Sequence, residues 1–280
     1  MKISVIQMVS GTNLQANLDR AHALLLAAAR EGAELAVLPE YFCLMGQHDA
    51  DKLGIAEPFG AGPIQHFLSN TAQALGLWLV GGTLPLSTAQ DDGTAAPGET
   101  NRVYNSTLVY SPTGQCVARY DKIHLFRFDN GQERYDESCV LRPGAAPQVF
   151  ELPSRDGHRW RIGLSVCYDL RFAELYRAYA SAGADLLLVP SAFTHTTGQA
   201  HWEVLLRARA IENLAFVAAA AQGGQHDNGR HTWGHSMLID PWGAVIGQRS
   251  ESEGVVSAEL DAARLAACRV QLPALKHRVL

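Results

Sequence analysis

The 280-residue chain reads as a layered α/β fold, and two observations carry that reading. Strand-like and helix-like segments alternate near both ends of the chain, the order that βαβ units require. In addition, Gly32-Ala-Glu-Leu-Ala-Val-Leu-Pro39 is echoed by Gly183-Ala-Asp-Leu-Leu-Leu-Val-Pro190, each a helix stop, a buried strand and a proline at the strand end. The echo supports a sandwich of two related halves, although the same letters also make an ordinary helix-to-strand connection.

Residues 3–9 read as a strand. Leu14, Leu18, Ala21, Leu25 and Ala28 then recur at helical spacing behind candidate caps Thr12 and Asn13, until Gly32 ends the pattern. After a buried strand at 35–38, Pro63 opens a second helix with Ile64, Phe67, Leu68, Thr71 and Leu75 on one face. Gly76 stops it, and 77–80 is the next strand. The middle of the chain changes character: a loop at 91–98, a strand at 103–110, a turn at 111–114 into another strand, and long loops between Lys122 and Gly144. The α/β order returns with strand 161–166, helix 172–181, strand 186–189, helix 202–213 and strand 215–221. Trp233 to Gly243 reads as a hairpin around a type I turn, with Pro241 second and Gly243 fourth.

Twenty-eight acids against 23 bases, with no Lys/Arg-rich run, leave no electrostatic footprint for nucleic acid. Five cysteines without a Cys-x-x-Cys pair fit neither a disulfide framework nor a zinc ribbon. They read as reduced thiols of a cytoplasmic protein. The start, MKISVIQMVSG, lacks the apolar core and cleavage site of a signal peptide. Eight-residue apolar runs such as 214–221 fall far short of the ~18 to 20 residues of a membrane span.

Three residues stand where chemistry is expected. Glu40 follows a proline at the carboxyl end of a buried strand, where open α/β sheets present ligand-facing groups. Lys122 lies in Tyr120-Asp-Lys-Ile-His124, where a covered cation would face a developing oxyanion. Cys167 ends a strand and precedes a helix, a turn that exposes a nucleophile near unpaired N–H groups. Taken singly, each also has a plainer reading: a solvated carboxylate, a surface lysine, a small buried thiol.

Together, and in this order, Leu38-Pro-Glu-Tyr-Phe42, Tyr120-Asp-Lys-Ile-His124 and Ser165-Val-Cys-Tyr-Asp-Leu-Arg-Phe172 resemble the three signatures of the nitrilase superfamily of carbon–nitrogen hydrolases. The resemblance implies an α/β fold of four layers, an α-β-β-α sandwich, formed by one carbon–nitrogen hydrolase domain over residues 1–280. It implies a Glu40, Lys122, Cys167 triad, joined by Glu137 from the loop after the lysine. In the implied reaction Glu40 takes the thiol proton and Cys167 attacks an amide carbonyl. Lys122 and the backbone N–H of Tyr168 stabilise the oxyanion, and a thioester is hydrolysed. No metal or organic cofactor has a task in that cycle. Unperturbed Glu and Cys differ by about 4 pKa units, so the proton transfer would cost roughly 5 to 6 kcal/mol in water. Burial and Glu137 are expected to raise Glu40, while Lys122 and the helix terminus lower Cys167. Asp121 and Asp169 are read as orienting groups.

Cys167-Tyr-Asp-Leu-Arg-Phe172 resembles the amidase branch, not the nitrile-cleaving one. Segments 190–194, 197–212 and 218–222 further resemble amidases of 2-oxoglutaryl amides, which implies deaminated glutathione as substrate or, alternatively, 2-oxoglutaramate. Arg171 is then the candidate clamp for the substrate carboxylate, its alternative being an ion pair within its own helix. Phe193, Thr194 and Thr197 are expected on a loop that walls the pocket. Segments 132–138 and 193–199 are expected to face the leaving group. Gly81 and Gly82 suit a tight strand end, and His124, His195, His201 and His235 lack metal-ligand spacing. The partners implied are a small amide and a second copy of the chain, meeting across the helices near 172–181 and 201–213, with no nucleic acid and no membrane. Two other readings remain: a papain-like hydrolase with a histidine base, and a non-catalytic interaction module.

Overall fold

In the computed structural model, which describes residues 1–88 and 102–279, two mixed sheets lie face to face between two pairs of helices. The loop expected at 91–98 falls outside the described residues. Strands β1 (Lys2–Gln7), β2 (Leu35–Val37) and β3 (Trp78–Val80) run parallel, joined by crossover helices α1 (Leu14–Arg30) and α2 (Pro63–Leu75). Strands β4 (Leu84–Ser87), β5 (Val103–Tyr110) and β6 (Cys116–Asp121) extend this sheet by antiparallel pairing. A small hairpin of β7 (Arg127–Asp129) and β8 (Arg134–Asp136) follows, then a single 3-10 turn, Glu137–Cys139.

The second sheet repeats the plan. Strand β9 (Gln148–Pro153) pairs antiparallel with β10 (Arg159–Leu164), and helix α3 (Ala173–Ser181) leads to β11 (Leu186–Leu188). Helix α4 (His195–Asn213) leads to β12 (Phe216–Ala219), so that β10, β11 and β12 run parallel. After a short ribbon of β13 (Gly223–Gln225) and β14 (His231–Trp233), β15 (Ser236–Ile239) and β16 (Val245–Arg249) complete the sheet. Strand β17 (Gly254–Glu259) returns to the first sheet antiparallel to β1, and α5 (Ala262–Gln271) follows. The echoed sequence segments are the centres of the two halves: β2 and β11 are each the middle strand of three parallel ones.

Alternation along the strands sets the layers. Ile3, Val5, Leu35 and Val37 cluster with Ile162, Leu164, Leu186 and Leu188 between the sheets, and the same core continues to Tyr176 of α3 and Trp202 of α4. The opposite faces, with Ile6, Ala36, Leu38 and Leu79, join Leu18, Leu25, Ile64 and Leu68 of α1 and α2. A one-residue slip would exchange these faces, which pins the register of the strands that carry the site. Asn13 caps α1 by accepting from the Ala16 N–H at 2.9 Å, and Gly76 ends α2 in the left-handed region at φ 63°. The Asp240 to Gly243 turn closes with a 2.9 Å bond from the Gly243 N–H to the Asp240 carbonyl, as its proline and glycine require.

Three features depart from the sequence reading. Helix α4 begins at His195, seven residues before the expected Trp202, because its first two turns carry no apolar stripe and are held instead by the Thr194 cap. Residues 172–181 shorten by one, with Phe172 as the N-cap of α3. Strands β9 and β17 and helix α5 have no counterpart in that reading. Helix α5 buries only Leu265 and Cys268, so it shows little periodic signal. Among the described residues no helix is long and apolar enough to cross a membrane.

Candidate active site

Glu40, Lys122 and Cys167 reach one point from the ends of β2, β6 and β10. The backbone explains how. Gly82 has φ 53°, and a Cβ there would lie 2.1 Å from the Pro39 carbonyl oxygen, so only glycine lets this segment press against the strand end carrying Glu40. Gly144 is as tight: a Cβ would meet the Asp121 carbonyl at 2.0 Å, while its N–H holds the Lys122 carbonyl at 2.8 Å. Tyr41 and Cys167, both non-glycine, take left-handed φ values of 56° and 49°. Such strain costs on the order of 1 to 3 kcal/mol per residue. Here it is retained beside Glu40 and at the thiol itself.

The Lys122 ammonium is fully buried and donates to Glu40 Oε1 at 2.9 Å and to both Glu137 oxygens at 2.9 and 2.8 Å. Glu40 also accepts from Asn105 Nδ2 and from the Ala192 N–H, each at 2.9 Å, and hydrogen-bonds the Cys167 thiol. Glu137 is held by the Tyr41 hydroxyl at 2.8 Å and the Phe126 N–H at 2.7 Å. Burial, reinforced by Glu137 and opposed by Lys122, raises the Glu40 pKa as expected. Burial alone would lower Lys122, but Glu137 and Glu40 outweigh it and hold the ammonium well above its usual range.

The expectation for Cys167 is corrected. Burial first, then the Glu40 carboxylate, push the thiol well above its usual range despite Lys122. No α-helix begins at the cysteine either: residues Cys167–Arg171 form one 3-10 turn and α3 starts only at Ala173, so little helix dipole reaches the sulfur. The resting sulfur is therefore a neutral thiol, and its ionisation is deferred until the proton is taken.

Asp169 is an anchor, not a reacting group. It is fully buried and accepts from the Tyr120 hydroxyl, the Val166 N–H, the His124 N–H and His124 Nδ1 at 2.7 to 3.0 Å, tying the lysine motif to the cysteine motif. Asp121 accepts from Ser106 and Arg119. His124 stacks on Phe172, His201 contacts Arg171 at 3.2 Å, and His235 stacks on Trp233. No histidine pairs with Cys167 among the described residues, which removes the basis for a papain-like base. One group that linear spacing could not show does form: His195, His231 and Glu251 bring three potential ligand atoms within 4.8 Å of one another. Its two rings stack with centroids 4.4 Å apart. Asn105, Tyr41 and the Ala192 N–H are contacts the sequence reading missed; only Tyr41, inside the first motif, had a visible signal.

Two lobes of one cleft meet at Cys167. The smaller, about 210 Å³, is lined by Arg171, Tyr168, Phe193, Thr194 and Thr197. Arg171 lies over the Tyr168 and Phe193 rings at 5.7 and 5.3 Å and has no carboxylate partner among the described residues, so the alternative of an ion pair within its helix is not what forms. Phe193 is on the segment after β11, as expected, but Thr194 is the N-cap of α4 and Thr197 sits in its first turn instead of on a loop. The larger lobe, about 560 Å³ and open to solvent, is lined by Glu40, Glu137, Tyr135, Asp49, Lys52 and Arg230 among others. The N–H of Tyr168 has no acceptor among the described residues, as the first turn of a helix leaves it.

A carboxylate bonded to a thiol, a buried ammonium and an uncommitted N–H are the equipment for acyl transfer through a thioester. Fold and site together define a hydrolase of the four-layer α-β-β-α class. The chain belongs to the carbon–nitrogen hydrolase family, which it matches over residues 2–270. It is 41% identical to the deaminated glutathione amidase of Synechocystis sp., across 99% of this chain and 97% of that one. It is 37% identical to an omega-amidase of Danio rerio, across 99% and 94%. The crystal structure of Saccharomyces cerevisiae Nit3, a member of branch 10 of the nitrilase superfamily, superposes with a TM-score of 0.84 at 29% identity, covering 100% of this chain and 97% of that one.

Proposed function

We propose that the chain is an amidase that hydrolyses a small carboxylate-bearing amide through a thioester on Cys167, with deaminated glutathione as substrate and 2-oxoglutarate and cysteinylglycine as products. The observation that carries this reading is the Arg171 guanidinium, unpaired with any described carboxylate and lining an apolar lobe that opens onto the thiol. Glu40 takes the Cys167 proton as sulfur attacks the amide carbon. The oxyanion is held by Lys122 and the Tyr168 N–H. Collapse breaks the carbon–nitrogen bond, and Glu40 returns its proton to the departing amine. Glu40 then deprotonates the water that cleaves the thioester, restoring the thiol. Glu137 keeps Lys122 charged and oriented. In this reading Arg171 holds the distal carboxylate of the acyl half by paired hydrogen bonds, and Phe193, Thr194 and Thr197 line the lobe around it.

A second reading, an omega-amidase acting on 2-oxoglutaramate, is supported by the similarity to such enzymes. Both substrates share the acyl half, so the triad and Arg171 serve either. Measuring kcat/KM for the two on one preparation tests the assignment: a preference for 2-oxoglutaramate moves the protein to the second reading. Arg171→Lys should weaken both substrates together, because it removes the clamp they share.

Residues 1–280 act in this reading as one carbon–nitrogen hydrolase domain, supported by the near-continuous family match and by a core that runs through both sheets. A homodimer across α3 and α4 is supported by the exposure of Val204 (69%), Ile211 (44%) and Trp242 (46%) on that side. A cytoplasmic site of action is supported by five free cysteines.

A further inference from the structure

The two lobes differ in what can happen in them. Cys167 borders both, but Glu40 lines only the larger. The group that returns a proton to the departing nitrogen must reach it, so the amine leaves into the larger lobe while the acyl chain lies toward Arg171. This reverses the sequence expectation for Phe193 and Thr197, which border the acyl side, and keeps it for Tyr135 and Glu137.

The larger lobe is oversized for ammonia. It runs from Cys167 and Glu40 out to Arg230 and is open to solvent, more room than one ammonia molecule fills. Its charges are also polarised. At the inner end Glu40 and Glu137 share the single Lys122 ammonium, leaving a net negative charge where a new amine forms. At the outer wall the arrangement is inverted: Asp49 Oδ1 accepts from Arg230 Nη2 at 2.7 Å and from Lys52 Nζ at 3.2 Å, so two cations share one carboxylate. Lys52 is buried, yet its ammonium has one hydrogen-bond acceptor among the described residues and otherwise faces the Tyr41 ring at 4.4 Å. Arg230 spends Nη2 on Asp49 and Nη1 on the Met45 sulfur at 4.0 Å, beside the Tyr135 ring. Both cations keep donor capacity toward the lobe.

We propose that Arg230 and Lys52, held by Asp49, form a leaving-group subsite that selects amines bearing a carboxylate. A departing dipeptide matches both ends: its new amine forms beside Glu40 and Glu137, and its terminal carboxylate meets Arg230 and Lys52. The inference rests on the acyl assignment to the Arg171 lobe and deepens it by naming what distinguishes the preferred amide from one that releases ammonia.

The test compares kcat/KM of the wild type for deaminated glutathione and for its C-terminal carboxamide, which differ only in the terminal charge, with 2-oxoglutaramate as a third substrate. A hydrogen bond to a charged group contributes about 1.5 to 3 kcal/mol, so the free carboxylate should be preferred roughly 10-fold to 150-fold. Arg230→Gln should cut that preference ratio by at least about tenfold. Equal turnover of carboxylate and carboxamide by the wild type, or an unchanged ratio in Arg230→Gln, overturns the subsite and leaves the acyl assignment intact. Failure to hydrolyse any of the three 2-oxoglutaryl amides overturns the acyl assignment and the subsite with it. The wild-type comparison needs no variant to fold.

Discussion

Replacing Glu137 by Gln should slow turnover and move its acid limb to lower pH. The Glu137 oxygens accept four hydrogen bonds, two from Lys122 Nζ, one from the Tyr41 hydroxyl and one from the Phe126 N–H. A glutamine has one oxygen, so whichever way its amide is turned an NH₂ faces the ammonium and a second donor. Loss of one charge-assisted bond costs about 1.5 to 3 kcal/mol. If that loss falls on the oxyanion, kcat/KM drops roughly 10-fold to 150-fold. The pH effect follows from Glu40, which is needed as a carboxylate. Burial raises its pKa first, and Glu137 raises it further, so activity is gained only as pH passes this raised value. Without the Glu137 charge, Glu40 ionises at lower pH and keeps more of Lys122 to itself. The assay is a pH profile of kcat/KM for the wild type, Glu137→Gln and Glu137→Asp, the last of which loses reach but keeps the charge. An unchanged rate with an unmoved limb, or a limb shifted to higher pH in Glu137→Gln, refutes the reasoning.

Cys167→Ala should abolish turnover with little loss of stability, and mass spectrometry of the wild type during turnover should find the acyl adduct on the Cys167 peptide. An adduct on Cys43, Cys116, Cys139 or Cys268 would sink the assignment. Asp169→Asn should destabilise the fold by roughly 3 kcal/mol in urea denaturation, since an amide must turn a donor toward groups that themselves donate to Asp169; a change below about 0.5 kcal/mol would deny its anchoring role. Light scattering at micromolar concentration should exceed the 30.3 kDa of one chain, and a particle of that mass contradicts the dimer.

Much of the fold was legible because its signals are local. Apolar periodicity, the Asn13 cap and the Gly76 stop mark α1 and α2, and the echoed segments mark the middle strand of each sheet. The ends of the chain's regular pattern were harder: the first turns of α4 are stabilised by a threonine cap and tertiary contacts, which leave no apolar stripe to read.

The sequence by itself singled out the residues of the proposed chemistry, since Glu40, Lys122 and Cys167 sit in three ordered motifs whose residue types suit thioester chemistry. Only the tertiary structure decided their electrostatics. Sequence spacing cannot say how deeply a thiol is buried or how close a carboxylate lies, and these two quantities reversed the expected direction for Cys167. Tertiary structure alone also joined Asp49, Lys52 and Arg230, which are up to 181 residues apart in the chain. It set them in a different lobe from Arg171, because a cleft between strand ends is defined by the register of two sheets and by no single segment.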